Sequence, residues 1–204
     1  MYEYFMHSTV ALGAIIESGN LDEAFTRDDY DEKIPKGIYC HYIWDGLPIV
    51  YPDMKWVYIH CIFVIDTSIS KRNEMYICNS VQYGACLQHP EDRIMHSKGN
   101  LKHKPDFNPL QKKIVDELYE NVKQKKIKRT NKDTNIYIFS HEVIFKGKIP
   151  LTFVKAILIP KITYKKLGNK IQRLDEYLKK KNLSIKLIPF APYTKNFHKY
   201  FEMI

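Results

Sequence analysis

No run of about 18 apolar residues occurs in the 204-residue chain, so no transmembrane helix is expected. The opening stretch, MYEYFMHSTV, lacks a basic segment followed by an apolar one, and no secretory leader is expected. Cysteine is scarce: Cys40, Cys61, Cys78 and Cys86 are the only four, and no two form a C-x-x-C pair. Without an export signal they read as reduced thiols, so an intracellular, cytoplasmic location is expected. Cys78, Cys86, His89 and His96 can be drawn as a zinc set. Their spacing fits no common zinc pattern, so no metal is expected. No internal repeat is visible.

What the chain does have is enough apolar surface for a core. Hydrophobic residues make up 45% and aromatics 13%, which argues against disorder. A chain of this length is expected to fold as one domain, residues 1–204. The net charge is +9 and unevenly spread. Residues 1–53 carry ten acids and three bases, whereas residues 54–204 carry thirteen acids and twenty-nine bases. A basic surface of this kind suits a polyanion such as nucleic acid, although many lysines simply solvate a face.

Hydrophobic periodicity divides the chain into short elements. Residues 2–7 read as a strand. Residues 8–18 read as a helix capped by Ser8 or Thr9, with Leu12, Ile15 and Ile16 on one face and Gly19 stopping it. Residues 20–35 are acidic and irregular. Residues 37–44 read as a short strand entering a loop, and the two prolines of LPIVYPD mark a connector. Residues 55–66 form the longest apolar strand, central in a sheet. Another strand is expected over 74–80, and a polar loop over 88–108. Residues 109–124 read as an amphipathic helix opened by Pro109, with Leu110, Ile114, Leu118 and Val122 at helical spacing. Residues 136–145 are either two strands with a break or one long strand. A turn at KGKIP leads to a strand over 153–160, a helix over 167–182 and a last strand over 183–190. The order of elements is that of an α+β domain.

Three stretches stand out against this background. The first is MHST…LGAIIESGNL, a histidine near a strand end before a helix that ends in glycine. The second is PKGIYCHY. The third is SHEVIFKGKIPLTFVKAILI, in which a lone carboxylate, Glu142, opens an apolar strand. Strand alternation puts Glu142 on the same face as Ile144 and opposite Val143.

In this order the stretches resemble the ADP-ribosyltransferase superfamily, nearest to its His-Tyr-Glu branch, which includes the poly(ADP-ribose) polymerases. The third stretch is equally similar to the DNA-targeting ADP-ribosyltransferase toxins. The resemblance spans roughly residues 4–160 as three islands. It implies a split antiparallel sheet flanked by helices, with NAD as substrate. His7 matches the histidine that hydrogen-bonds the adenine-bearing ribose. Ser8 replaces the glycine whose backbone meets the nicotinamide amide. Gly37 and Tyr39 match the Gly-Ile-Tyr segment, with Tyr39 beside the nicotinamide. Glu142 matches the catalytic glutamate at the nicotinamide-ribose hydroxyl. Poly(ADP-ribose) polymerases place a serine and a second tyrosine where this chain has Leu47 and Val50. Tyr42, Trp44 or Tyr51 is left to supply the second stacking ring.

Those residue types suit the chemistry. Breaking the nicotinamide–ribose bond develops an oxocarbenium-like sugar, which a fixed carboxylate stabilises as in glycoside cleavage. The stretch before Glu142, VKQKKIKRTNK (122–132), holds six bases in eleven residues and no acid. Lys123, Lys125, Lys126, Lys128 and Arg129 are therefore candidate contacts to a DNA or RNA acceptor. A protein acceptor is the other expectation. Two alternatives stay open: a non-catalytic nucleotide- or nucleic-acid-binding module on the same fold, and an NAD-dependent RNA 2′-phosphotransferase.

Overall fold

The computed structural model describes residues 2–22, 37–45, 49–50, 61–78, 93–96, 137–138, 142–191 and 197–204. In chain order its elements are β1 (Glu3–Thr9), α1 (Leu12–Ser18), β2 (Asn20–Leu21), β3 (Ile38–Trp44), β4 (Ile49–Val50), β5 (Cys61–Asp66) and β6 (Met75–Cys78). There follow β7 (Arg93–His96), β8 (Tyr137–Ile138), β9 (Glu142–Phe145), β10 (Ile149–Pro150), β11 (Val154–Pro160), α2 (Lys161–Leu167), α3 (Asn169–Lys180), β12 (Lys186–Phe190) and α4 (Lys199–Glu202). Short 3-10 turns occupy Thr67–Lys71 and Leu151–Phe153.

Eight strands form one sheet in the order β12-β11-β5-β1-β3-β9-β6-β7. Every pairing is antiparallel except β11 with β12. The fold is α+β. β5 is central, and Cys61 to Ile65 are buried on both of its faces. This is why its sequence is continuously apolar rather than alternating. On one face, Phe5, Cys40, Phe63, Val143 and Ile157 pack with Ile15 and Ile16 of α1 and Ile171 and Leu178 of α3. On the other lie Met6, Ile43, Val64, Leu158 and Ile188, all buried. The C-terminal aromatic group closes the molecule: Phe190, Phe197, Tyr200 and Phe201 meet at centroid distances of 5.2 to 6.1 Å. Tyr2 joins that group through its hydroxyl contact with His198 Nδ1 and its ring contact with Phe201.

Several local expectations shift in the tertiary setting. Ser8 and Thr9 do not cap α1. They continue β1, opposite Ile62 and Cys61 of β5, and α1 starts only at Leu12 with no side-chain cap. Thr9 Oγ1 instead accepts from the Ala11 N–H at 3.1 Å. Gly19 stops α1 as expected, in the left-handed region at φ 74° with its N–H on the Ile15 carbonyl. Within the expected polar loop over 88–108, Arg93–His96 pair with β6 as an edge strand. The helix expected over 167–182 is α3, and a further helix, α2, precedes it over Lys161–Leu167, the two separated at Gly168 with φ 47°. The 136–145 segment is two strands with different partners: β8 pairs with β4, and β9 with β3 and β6. The helix expected over 109–124 lies outside the described residues.

Candidate functional site at the split of the sheet

β1 and β3 are paired along only part of their length. Their register runs from Glu3 opposite Trp44 to Met6 opposite His41 and stops there. Beyond it β1 stays with β5 as far as Thr9, and β3 stays with β9 from Ile38. The sheet therefore parts into two halves at this point. His7 and Ser8 lie on one edge of the opening, Tyr39 and Cys40 on the other. His7, Ser8 and Tyr39 are half-buried, while the strands around them are buried.

His7 bridges the opening. Its Nδ1 lies 2.8 Å from the Tyr39 carbonyl oxygen. A carbonyl only accepts, so Nδ1 carries the proton and donates. This defines the tautomer: in the neutral ring Nε2 is the acceptor. The side-chain contact takes the place of a backbone ladder bond where the strands diverge, and it ties the two edges together.

Glu142 is placed by backbone register, opposite His41; Cys40 opposite Val143 follows, and then Tyr39 opposite Ile144. Directly opposed positions in an antiparallel pair lie about 4.5–5.5 Å apart at Cβ. His7, Tyr39 and Glu142 thus come from three adjacent strands, β1, β3 and β9. Sequence reasoning missed His41. It sits between Met6 on β1 and Glu142 on β9 in register and is 8% exposed. Burial, and then the nearby His7, hold its pKa down to about 4, so it is neutral at pH 7. Alternation was the available signal: a strand that brings Tyr39 to a site brings His41 with it.

Gly37 has a packing reason of its own. It is buried at the start of β3, and a Cβ there would fall 2.5 Å from Ile144 Cγ2 and 2.6 Å from the Phe145 carbonyl oxygen. Only glycine lets β3 approach β9 so closely at this point. Tyr42 is not brought to the opening. It is 2% exposed and packs on Phe5 at a centroid distance of 5.3 Å, and its hydroxyl donates to Glu3 Oε2 at 3.0 Å. Burial and the Glu3 carboxylate raise its pKa. The physical reason is register: Tyr42 lies opposite Phe5 within the paired stretch of β1 and β3, before the strands part. Trp44 is placed by register alone, opposite Glu3 at the far end of the β1–β3 pairing. Tyr51, Leu47 and the basic candidates Lys123, Lys125, Lys126, Lys128 and Arg129 lie outside the described residues, as do Cys86 and His89. Among the described residues no group of three or more His, Cys, Asp or Glu converges as a metal set. No described helix is long and apolar enough to cross a membrane.

The chain is similar to solved structures of DarT. A Thermus sp. 2.9 DarT in complex with NAD+ matches at TM-score 0.47 and 9% identity, over 94% of this chain and 96% of that one. A structure of the same protein in complex with ADP-ribosylated ssDNA matches at TM-score 0.46 and 11% identity, over 94% and 95%. A Thermosipho africanus DarTG in complex with ADP-ribose matches at TM-score 0.47 and 13% identity, over 92% of this chain and 50% of that one. At these scores and identities the likeness assigns no residue a role. No protein-family model matches the chain, and no curated protein does.

Proposed function

We propose that the chain is a single ADP-ribosyltransferase-like domain. It breaks NAD at the nicotinamide–ribose bond and transfers ADP-ribose to a nucleic-acid or protein acceptor. The observation that carries this reading is the parting of β1 from β3. It sets His7, Ser8 and Tyr39 on the two edges of one opening, with Glu142 on the adjoining strand. His7, tied through Nδ1 to the Tyr39 carbonyl at the opening, meets the adenine-bearing ribose. Tyr39 and the Ser8 backbone hold the nicotinamide, its flat ring against the phenol ring.

In the reaction the electron pair of the C1′–N bond leaves with nicotinamide, which departs neutral. The ribose is left as an oxocarbenium-like cation, and the Glu142 carboxylate stabilises it. The acceptor atom forms the new bond to C1′ and gives up its proton to solvent water. A second cation beside that sugar would oppose the charge developing there. The neutral state of buried His41 avoids it. The acceptor assignment to nucleic acid rests on the basic run from Lys123 to Arg129. An intracellular site of action fits Cys40 and Cys61, both buried free thiols.

The second reading is a binding module on the same fold. It is favoured by Tyr42, whose commitment to Glu3 and Phe5 removes one candidate stacking ring. Labelled NAD, incubated separately with DNA, RNA and protein, separates the two. Glu142→Gln is expected to lower nicotinamide release by about 10²–10³ while leaving NAD binding in place, the usual cost of removing one preorganised electrostatic group. If wild type and variant both bind NAD and neither releases nicotinamide, the chain is a binding module.

A further inference from the structure

We propose that the basic face of α2 and α3, together with the groove they form against α1, binds single-stranded nucleic acid. Residues 161–181 hold eight bases and two acids. Lys165, Lys166, Lys170 and Arg173 are exposed. None of these four forms an ion pair among the described residues, whereas Lys179 is held by Asp175 at 2.6 Å. Four unneutralised cations within nine residues are a surface that a phosphate backbone complements.

Charge alone would suit any polyanion. The groove narrows the choice. It has a volume of about 530 Å³ and is walled by Leu12 and Ile16 of α1, by Leu167 of α2, and by Leu174 and Tyr177 of α3. Tyr177 is 37% exposed, and Lys181 Nζ lies 5.7 Å from its ring centroid. An accessible aromatic beside a row of cations is the arrangement on which unpaired bases stack while their phosphates are neutralised. Lys170 belongs to both surfaces, lining the groove and standing in the basic row. Glu17, the acid among the lining residues, suits base edges rather than phosphates, because a carboxylate accepts from exocyclic amines. A duplex buries its bases and cannot use the groove. This binding needs no NAD turnover, so it stands apart from the reaction proposed above.

Fluorescence anisotropy with labelled 12-mers of single-stranded DNA and RNA, and with the DNA duplex, tests it across a range of salt. Single strands are expected to bind more tightly than duplex, and the two single-strand arms show which sugar is preferred. The combined variant Lys165→Gln, Lys166→Gln, Lys170→Gln, Arg173→Gln is expected to lose about 100-fold in affinity and to reduce the slope of log K against log salt by about 3, near 0.7 per phosphate contact. Tyr177→Ala is expected to lose about tenfold with the slope unchanged. Lys146→Gln and Lys148→Gln, outside α2, α3 and the groove lining and paired with Glu74 and Asp22, are expected to bind as wild type. An unchanged slope in the combined variant overturns the proposal. So does duplex binding as tight as single-strand binding, or binding to anionic vesicles or an acidic protein in place of nucleic acid.

Discussion

Gly37→Ala changes one methyl group and tests how the opening is built. The added Cβ meets Ile144 Cγ2 at 2.5 Å and the Phe145 carbonyl oxygen at 2.6 Å. Neither neighbour can yield. Ile144 is fully buried, and the carbonyl belongs to a backbone paired on both sides, to Ile38 and to Met75. β3 must therefore move away from β9. Overpacking of this kind costs about 1–3 kcal/mol. Alanine also restricts the unfolded chain, which offsets about 0.4–1 kcal/mol. The net expectation is a loss of about 1–2 kcal/mol, or about 2–8 °C in Tm for a domain of this size. Tyr39 lies two residues further along β3, so the same shift moves it relative to Glu142. Misplacement by about 1 Å can cost about 10²-fold in rate. Gly13→Ala is the internal control. Gly13 sits in α1 with nothing within 4 Å of an added Cβ, and alanine there is expected to stabilise by about 0.5–1 kcal/mol. Urea and thermal unfolding followed by circular dichroism, with nicotinamide release measured in parallel, give both readouts. If Gly37→Ala is as stable as wild type and turns over NAD normally, the close approach of β3 to β9 is not what shapes the site.

Three further outcomes follow from the same geometry. His41 stays neutral in the folded chain down to a pKa of about 4, chiefly because it is desolvated and then because His7 is near. Its unfolded imidazole takes a proton near pH 6.5, so stability is full above that value and falls as pH drops towards 4, by about 1.4 kcal/mol per pH unit. Urea midpoints between pH 7 and 4.5 should be flatter in His41→Gln, and an equally steep decline would place the slope on other groups. Tyr42→Phe removes the bond to Glu3 and is expected to cost about 1–2 kcal/mol in urea unfolding with NAD turnover unchanged. Abolished turnover at unchanged stability would return Tyr42 to the site. Asp66 Oδ1 accepts from the Ser68 N–H at 2.8 Å at the start of a 3-10 turn, and Oδ2 meets Lys155 at 3.1 Å. Asp66→Ala is expected to cost about 1 kcal/mol, most of it from the lost cap because the ion pair is half in solvent. A Lys155→Ala variant with the same loss would shift that weight to the ion pair.

Elements whose pattern is decided locally were legible in the chain alone. VKAILIP is apolar apart from Lys155 and is β11. IYCHYIW reads as a strand and is β3. Gly19 ends α1 because a left-handed residue is needed there. The α+β class follows from the same patterns, as does the order of His7, Tyr39 and Glu142. Elements decided by partners were not legible. Ser8 and Thr9 are good helix caps in isolation, but β5 offers them a ladder, and the strand prevails. Arg93–His96 carry no strong strand pattern and become a strand because β6 has an open edge. Tyr42 read as a candidate stacking ring until the register turned it towards Phe5 and Glu3. His41 drew no attention until cross-strand pairing put it opposite Glu142. Residue types and their order are local properties, so the chain determines them unaided. Where β1 leaves β3 depends on competition between two ladders for one strand, and only the folded sheet decides it.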